Sequence, residues 1–309
     1  MEIIVQVLLL ALGFVMLVKG ADWFVDGAAS IAAKFGIPQL VIGLTIVAMG
    51  TSAPEAAVSI SAALSGNAEI TVGNVVGSNI INILIILGLS AVITPLAVAK
   101  STVRIEIPFM IIITGIFMLL GIDGVMNWVD GAVLIVLFIA YLSYLFIQAR
   151  KNKNSEDTQQ LKEMTVPKAL LCTAVGIVVI VFGSRFAVDA ASHIAKAIGL
   201  SERFIGLTIV ALGTSLPELF TSVAAARKHN ADIAIGNIVG SNIFNILFVV
   251  GLSALIIPVP FAKNFMFDTM VALVASVLLL VCCFKNRRLN RAAGIIMLVA
   301  YAAYFAVIL

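Results

Sequence analysis

Gly43-Leu44-Thr45-Ile46-Val47-Ala48-Met49-Gly50-Thr51-Ser52-Ala53-Pro54-Glu55 occurs almost unchanged a second time, from Gly206 to Glu218, and 11 of 13 positions agree. Both copies lie in surroundings apolar enough for a membrane helix, yet each ends in Pro-Glu. A charged side chain at the bilayer centre costs about 2.5–3.5 kcal/mol on insertion scales. Two carboxylates in matched positions therefore imply a site for something positive.

The likeness runs outward from there. Residues 71–84 (TVGNVVGSNIINIL) return as 234–247 (AIGNIVGSNIFNIL), with 10 of 14 positions identical. Gly20/Gly183, Asp26/Asp189, Gly36/Gly199, Gly88/Gly251 and Pro95/Pro258 keep the same offset of 163 residues without a gap. One unit is used twice.

With 62% hydrophobic and 11% charged residues and a mean hydropathy of +1.17, the chain reads as an all-α polytopic membrane protein. Ten apolar runs centre near residues 12, 48, 84, 112, 138, 178, 211, 247, 274 and 300. Each is long enough to cross about 30 Å of hydrocarbon. The first has no basic leader or small-residue cleavage site, and so reads as a retained span. Five spans per half mean that the second copy enters from the opposite side, the inverted-repeat plan of secondary transporters. The predicted organisation is a first repeat at 1–149, a polar cytoplasmic linker at 150–168 and a second repeat at 169–309.

With the amino terminus outside, inner loops hold 14 Lys and Arg and outer loops only Lys196, Arg203 and Lys263. That bias places both termini on the extracytoplasmic side of the cell membrane. Lys19 and Arg185 fall within long helices and are expected to snorkel or to pair with Asp22, Asp26 or Asp189. The net charge of +3 reflects topology signals and implies no nucleic-acid partner. Cys172, Cys282 and Cys283 have no metal-ligand spacing and read as small apolar residues. Glu69, Glu106, Asp123, Asp130, Glu202, Asp232 and Asp268 read as solvated loop or span-end residues.

The chemistry follows from the break before each Glu. Pro54 has no N–H for the carbonyl of Gly50 and its ring crowds that turn. The Thr51 and Ser52 hydroxyls compete for local backbone partners. The helix is expected to kink and to free carbonyls from Ala48 to Thr51, which is tolerable only in a buried or wet cavity. Ala211 to Glu218 does the same in the second half. Two carboxylates, the hydroxyls of Thr51, Ser52, Thr214 and Ser215, and neutral oxygens from Ser78, Ser241, Asn82 and Asn245 form a hard-oxygen donor set. Such a set suits Ca²⁺, and the absence of nearby Cys or His argues against zinc or copper. Two carboxylates balance one Ca²⁺ or two monovalent cations, so an empty doubly charged site is costly to seal and competition becomes exchange. Asn74, Asn79, Asn237 and Asn242 could be ligands, although cross-helix hydrogen bonding is the commoner use. The GxxxG pairs Gly73/Gly77 and Gly236/Gly240 point to close helix packing. No nucleophile–base pair or metal triad suggests an enzyme. A channel would build its acidic ring across subunits, whereas this chain already contains a paired set.

On these motifs the chain resembles the calcium/cation antiporter superfamily, and within it the prokaryotic sodium/calcium exchangers. Their hallmark, G-T-S-x-P-E followed by G-S-N-I-x-[N/D], is present as Gly50–Glu55 with Gly77–Asn82 and as Gly213–Glu218 with Gly240–Asn245. The resemblance covers essentially the whole chain. It implies ten helices, ion sites between the second, third, seventh and eighth, and alternating access in which the first and sixth slide across the rest. It implies Na⁺-driven Ca²⁺ extrusion with no cofactor and no obligatory protein partner. Glu55 and Glu218 would be ligands shared by Ca²⁺ and Na⁺, and the carbonyls of Thr51 and Thr214 would complete the Ca²⁺ site. The Ala48 carbonyl with Ser52 and Ser78, and the Ala211 carbonyl with Ser215 and Ser241, would form flanking Na⁺ sites, with Asn82 and Asn245 lining the middle. Some family members, the potassium-dependent ones among them, carry Asp where this chain has Asn245, and the Asn leans against K⁺ co-transport. The proton-coupled branch typically carries G-N-x-x-E in place of G-T-S-x-P-E, so the motif here favours Na⁺ over H⁺. The short central loop has no room for large regulatory calcium-binding domains.

Overall fold

A computed structural model of the chain describes residues 2–151, 164–199 and 211–308. It is almost entirely helical: α1 (Glu2–Phe35), α2 (Gln39–Thr51), α3 (Ala53–Leu64), α4 (Ile70–Ile93), α5 (Thr102–Leu120) and α6 (Trp128–Lys151) form the first half. The second comprises α7 (Val166–Ala197), α8 (Ala211–Thr214), α9 (Leu216–Arg227), α10 (Ala231–Ile256), α11 (Lys263–Phe284) and α12 (Arg291–Ile308). Among the described residues eight helices are long and apolar enough to cross a membrane, and α2 with α3, bent by 50°, makes a ninth. α8 and α9 stand in the matching place of the second half. The approach to them, including the start of the repeated motif at Gly206, lies outside the described residues, as does most of the expected linker. The chain is a multi-pass membrane protein.

α1 and α7, equivalent helices of the two halves, run antiparallel. On α1, Gly13, Gly20 and Gly27 recur every seven residues and face Gly183, Gly176 and Ala169 of α7, in that order. A Cβ at Gly13 would sit 2.8 Å from the Gly183 carbonyl oxygen, and one at Gly27 2.7 Å from that of Ala169. The two backbones approach closely at these glycines, as small-residue seams allow.

α4 and α10 form the centre. Of their most apolar stretches 72% and 83% is buried, against 17% and 22% for α1 and α7. The GxxxG expectation is met on α10. A Cβ at Gly240 would lie 2.7 Å from the Leu44 carbonyl oxygen and 2.8 Å from the Ala48 methyl of α2, and Gly236 closes on Leu40 and Gly43. Both central helices widen into a π-turn at the same repeat position, Asn82–Leu87 and Asn245–Val250. Such turns often mark functional sites. Two short antiparallel pairs tie the halves together outside the bundle, β1 (Leu96–Ala97) with β4 (Arg288–Leu289) and β2 (Val125–Met126) with β3 (Val259–Pro260).

Several polar residues depart from expectation. Lys228, at the end of α9, lies 2.6 Å from Asp26 and 3.3 Å from Asp22 of α1 and donates to the Asp22 carbonyl at 2.9 Å. The first-helix aspartates are thus engaged by Lys228, not by Lys19 or Arg185, because packing of α9 on α1 carries its ammonium to them. Glu106 is not solvated: it is 1% exposed and accepts a hydrogen bond from Tyr144 of α6 at 2.7 Å. Asp130 is buried too, accepting from the Asn127 N–H at the start of α6, and Asp268 accepts from Tyr304. Asp123 is exposed, as expected, while Glu202 lies outside the described residues.

Candidate functional site

The site begins at the two breaks. α2 ends at Thr51, Ser52 leaves helical geometry at φ −81°, ψ 6°, and α3 starts at Ala53 with Pro54 in its first turn. Ser215 repeats this with φ −87°, ψ 3°, and Pro217 opens α9. Proline fits a first turn, where its missing N–H has no helical partner to lose. Glu55 and Glu218 therefore each sit in the first turn of a new helix, where the backbone dipole favours negative charge. The break frees less backbone than expected. The Ala48 carbonyl accepts from the Ser52 N–H at 3.0 Å and lies within 3.3 Å of the Thr51 hydroxyl and 3.4 Å of the Ser241 hydroxyl. The bend falls at Ser52 itself, so the turn before it stays closed.

Across the junction of the halves the breaks serve each other. Ser52 donates to Glu218 Oε1 at 2.7 Å, and Ser215 to Glu55 Oε1 at 3.3 Å. Glu55, Glu218, Ser52 and Ser215 are all at most 1% exposed. α9 packs on the π-turn that opens with Asn82, and α3 on the one that opens with Asn245, so the four motifs converge. Glu55 Oε2, Glu218 Oε2, Asn82 Oδ1 and Asn245 Oδ1 are buried without a hydrogen-bond partner among the described residues. Buried oxygens are rarely left so, because each costs about 1–3 kcal/mol. Four hard acceptors, two of them from carboxylates, suit a metal cation, which takes up their lone pairs without having to donate a proton.

The remaining candidates take distinct places. Ser241 lies against Ala48, not with Ala211 as the sequence grouping has it, and Ser78 belongs to the other helix of the central pair. Packing of the Gly236/Gly240 face on α2 brings Ser241 to Ala48, and with the Ser52–Glu218 bond this groups Ala48, Ser52 and Ser241 with Glu218. Ser78 is buried on α4, against which α8 packs. Thr51 is fully buried, and its hydroxyl lies 2.9 Å from Asn237 Oδ1 and 3.1 Å from the Val47 carbonyl oxygen. Thr214 is half-buried. Asn74 and Asn237 bond across helices: each donates to a serine, Ser59 or Ser222, at 2.9 Å and lies near the carbonyl oxygen of Glu55 or Glu218. Ser59 and Ser222 are the supporting residues that the sequence alone did not single out. Their only signal was the shared offset.

Discontinuous helices meeting at a buried, all-oxygen site on a pseudo-twofold axis define a secondary cation transporter. Comparison with known proteins narrows the class. Residues 5–147 and 168–309 match the family model described as sodium/calcium exchanger protein, and the chain belongs to that exchanger family. It is 33% identical to the sodium/calcium exchanger MaX1 of Methanosarcina acetivorans over 99% of both chains. It is 38% identical to the inner membrane protein YrbG of Escherichia coli K12 over 97% of this chain and 95% of that one. Among solved structures it resembles the sodium-calcium exchanger NCX_Mj soaked with zero Na⁺ and Ca²⁺, with a TM-score of 0.87 and 34% identity over 99% of this chain and all of the other. Exchange of cations, with Na⁺ and Ca²⁺ as substrates, is the activity of this family, which is one of transporters and not of enzymes.

Proposed function

We propose that the protein exchanges Na⁺ for Ca²⁺ by alternating access and normally extrudes Ca²⁺ from the cell. The observation that carries this is the set of four buried oxygens without a partner among the described residues, Glu55 Oε2, Glu218 Oε2, Asn82 Oδ1 and Asn245 Oδ1, two from each half. Ca²⁺ sits between the two carboxylates and takes further oxygen from Thr51, Thr214, Asn82 and Asn245. Na⁺ occupies one flanking position at Ala48, Ser52, Ser241 and Glu218, and another at Ala211, Ser215, Ser78 and Glu55. Sharing of the glutamates makes the two ions competitors. α1 and α7 slide as a pair along the rest, a motion favoured by their glycine seam. The protein lies in the cell membrane with both termini outside, as repeats 1–149 and 169–309 joined by a cytoplasmic linker at 150–168. Asn245 supports K⁺ independence and the G-T-S-x-P-E motif supports Na⁺ over H⁺.

The test is Ca²⁺ uptake into proteoliposomes loaded with Na⁺, K⁺ or neither. Uptake driven by internal Na⁺ alone is expected. A requirement for K⁺, or uptake that follows a pH gradient, would reassign the coupling ion. Uptake with no counter-ion at all would mean a channel.

A further inference from the structure

Asn79 and Asn242 stand three residues before Asn82 and Asn245, and the four amides form a closed set where α4 meets α10. Asn79 Nδ2 donates to the Asn242 main-chain carbonyl at 3.3 Å, and Asn242 Nδ2 donates to that of Asn79 at 3.2 Å. Asn82 Nδ2 donates to Asn242 Oδ1 at 2.9 Å, and Asn245 Nδ2 to Asn79 Oδ1 at 3.1 Å. All four residues are at most 3% exposed, so water does not compete.

The orientation of these amides follows from one fact. A main-chain carbonyl can only accept, so the atom of Asn242 facing Asn79 O must be its nitrogen. Its oxygen then faces Asn82, which must answer with its own nitrogen, and Asn82 Oδ1 is left turned away from the pair. The same chain of reasoning runs from Asn242 O through Asn79 to Asn245. Of these four amides, it is Asn82 Oδ1 and Asn245 Oδ1 that are left without a partner among the described residues. An amide torsion is otherwise broad and roughly two-fold, and a turned amide would present N–H groups to a cation in place of oxygen.

From this geometry we infer that Asn79 and Asn242 are positioning residues that lock the Asn245 and Asn82 amides with oxygen toward the transported cations. The inference rests on the ion site proposed above. It assigns the two Asn of the G-S-N motifs to orientation, with no contact to the ions of their own. The two central helices are thereby made to set each other's ligands, Asn242 that of Asn82 and Asn79 that of Asn245.

The test exploits the symmetry of a carboxylate. Asp at position 82 presents oxygen whichever way it turns and needs no orienting partner. Asn242→Leu is to be made in the natural chain and beside Asn82→Asp, with Ca²⁺ transport titrated in proteoliposomes and thermal unfolding followed in detergent. In the natural chain Asn242→Leu should raise the Ca²⁺ concentration for half-maximal transport about 10–100-fold, the usual cost of removing a group that orients a ligand. Beside Asn82→Asp the same substitution should cause no further rise, while its effect on unfolding temperature stays the same in both backgrounds. An unchanged titration in the natural chain, or an equal rise in both, would overturn the inference. Asn82→Leu separates the two levels: if it leaves ion dependence untouched, the ion site itself is misplaced, and the orienting role falls with it. Should Asn242→Leu fail to fold, Asn79→Leu beside Asn245→Asp asks the same question from the other half.

Discussion

Glu55 and Glu218 are nearly identical in burial but not in support. The 2.7 Å bond from Ser52 to Glu218 is shorter than the 3.3 Å bond from Ser215 to Glu55. Hydrogen bonds to charged groups contribute about 1.5–3 kcal/mol, and more of that is present at the shorter one. Ser52→Ala should therefore raise the Na⁺ concentration needed to drive Ca²⁺ uptake more than Ser215→Ala does, which a Na⁺ titration of both variants checks. Glu55→Gln and Glu218→Gln should each reduce Ca²⁺ exchange to background, and robust exchange by either would remove it from the site. Asn245→Asp replaces a donor to Asn79 Oδ1 by an acceptor, so ion dependence should change while the fold survives. Transport kinetics across Na⁺, K⁺ and pH report the outcome. That the two carboxylates and their serines come together was readable in the sequence, since matched Ser-x-Pro-Glu stretches in apolar spans call for a shared partner. Which serine meets which carbonyl was not. That depends on Gly240 drawing α10 onto α2, a contact between halves that residue type does not encode.

At the scale of helices, the glycines carry two different loads. Gly240 holds α10 against α2, and an added methyl would meet backbone and the Ala48 side chain at under 3 Å. Gly240→Ala should cost about 1–3 kcal/mol by overpacking, measured as a lower unfolding temperature in detergent. Gly20 belongs to the α1–α7 seam, where an added Cβ would lie 3.0 Å from the Gly176 carbonyl oxygen. If the pair slides during exchange, Gly20→Ala should slow turnover while Ca²⁺ protection against heat remains. Loss of both together would indicate a packing role alone. The period of seven along α1 could be counted in the sequence, but its partner surface could not be named without the antiparallel arrangement. Glu106 illustrates the opposite failure. Its place near a span end suggested water, whereas the Tyr144 hydroxyl and the packing of α5 against α6 enclose it.

For the molecule as a whole, the offset of 163 residues already carried most of the architecture: a duplicated unit, a shared site and halves of opposite sense. It could not carry the contacts that break the symmetry. Lys228 grips Asp22 and Asp26, but the equivalent positions in the other half hold Ser65, Arg185 and Asp189, so no matching grip can form there. These side chains are partly exposed, and solvent screening limits such a pair to about 1 kcal/mol or less. Lys228→Met should thus leave unfolding temperature nearly unchanged. Its effect should be seen in the rate of exchange, because α1 loses a tether to α9 on one face only.

The crossed donation from Ser52 to Glu218 and from Ser215 to Glu55 bears on descent. Neither half owns a finished carboxylate, so a single unit could have worked only as two molecules lying head to tail in the bilayer. Joined in one polypeptide, the two copies are free to differ, as Lys228 and Ser65 do.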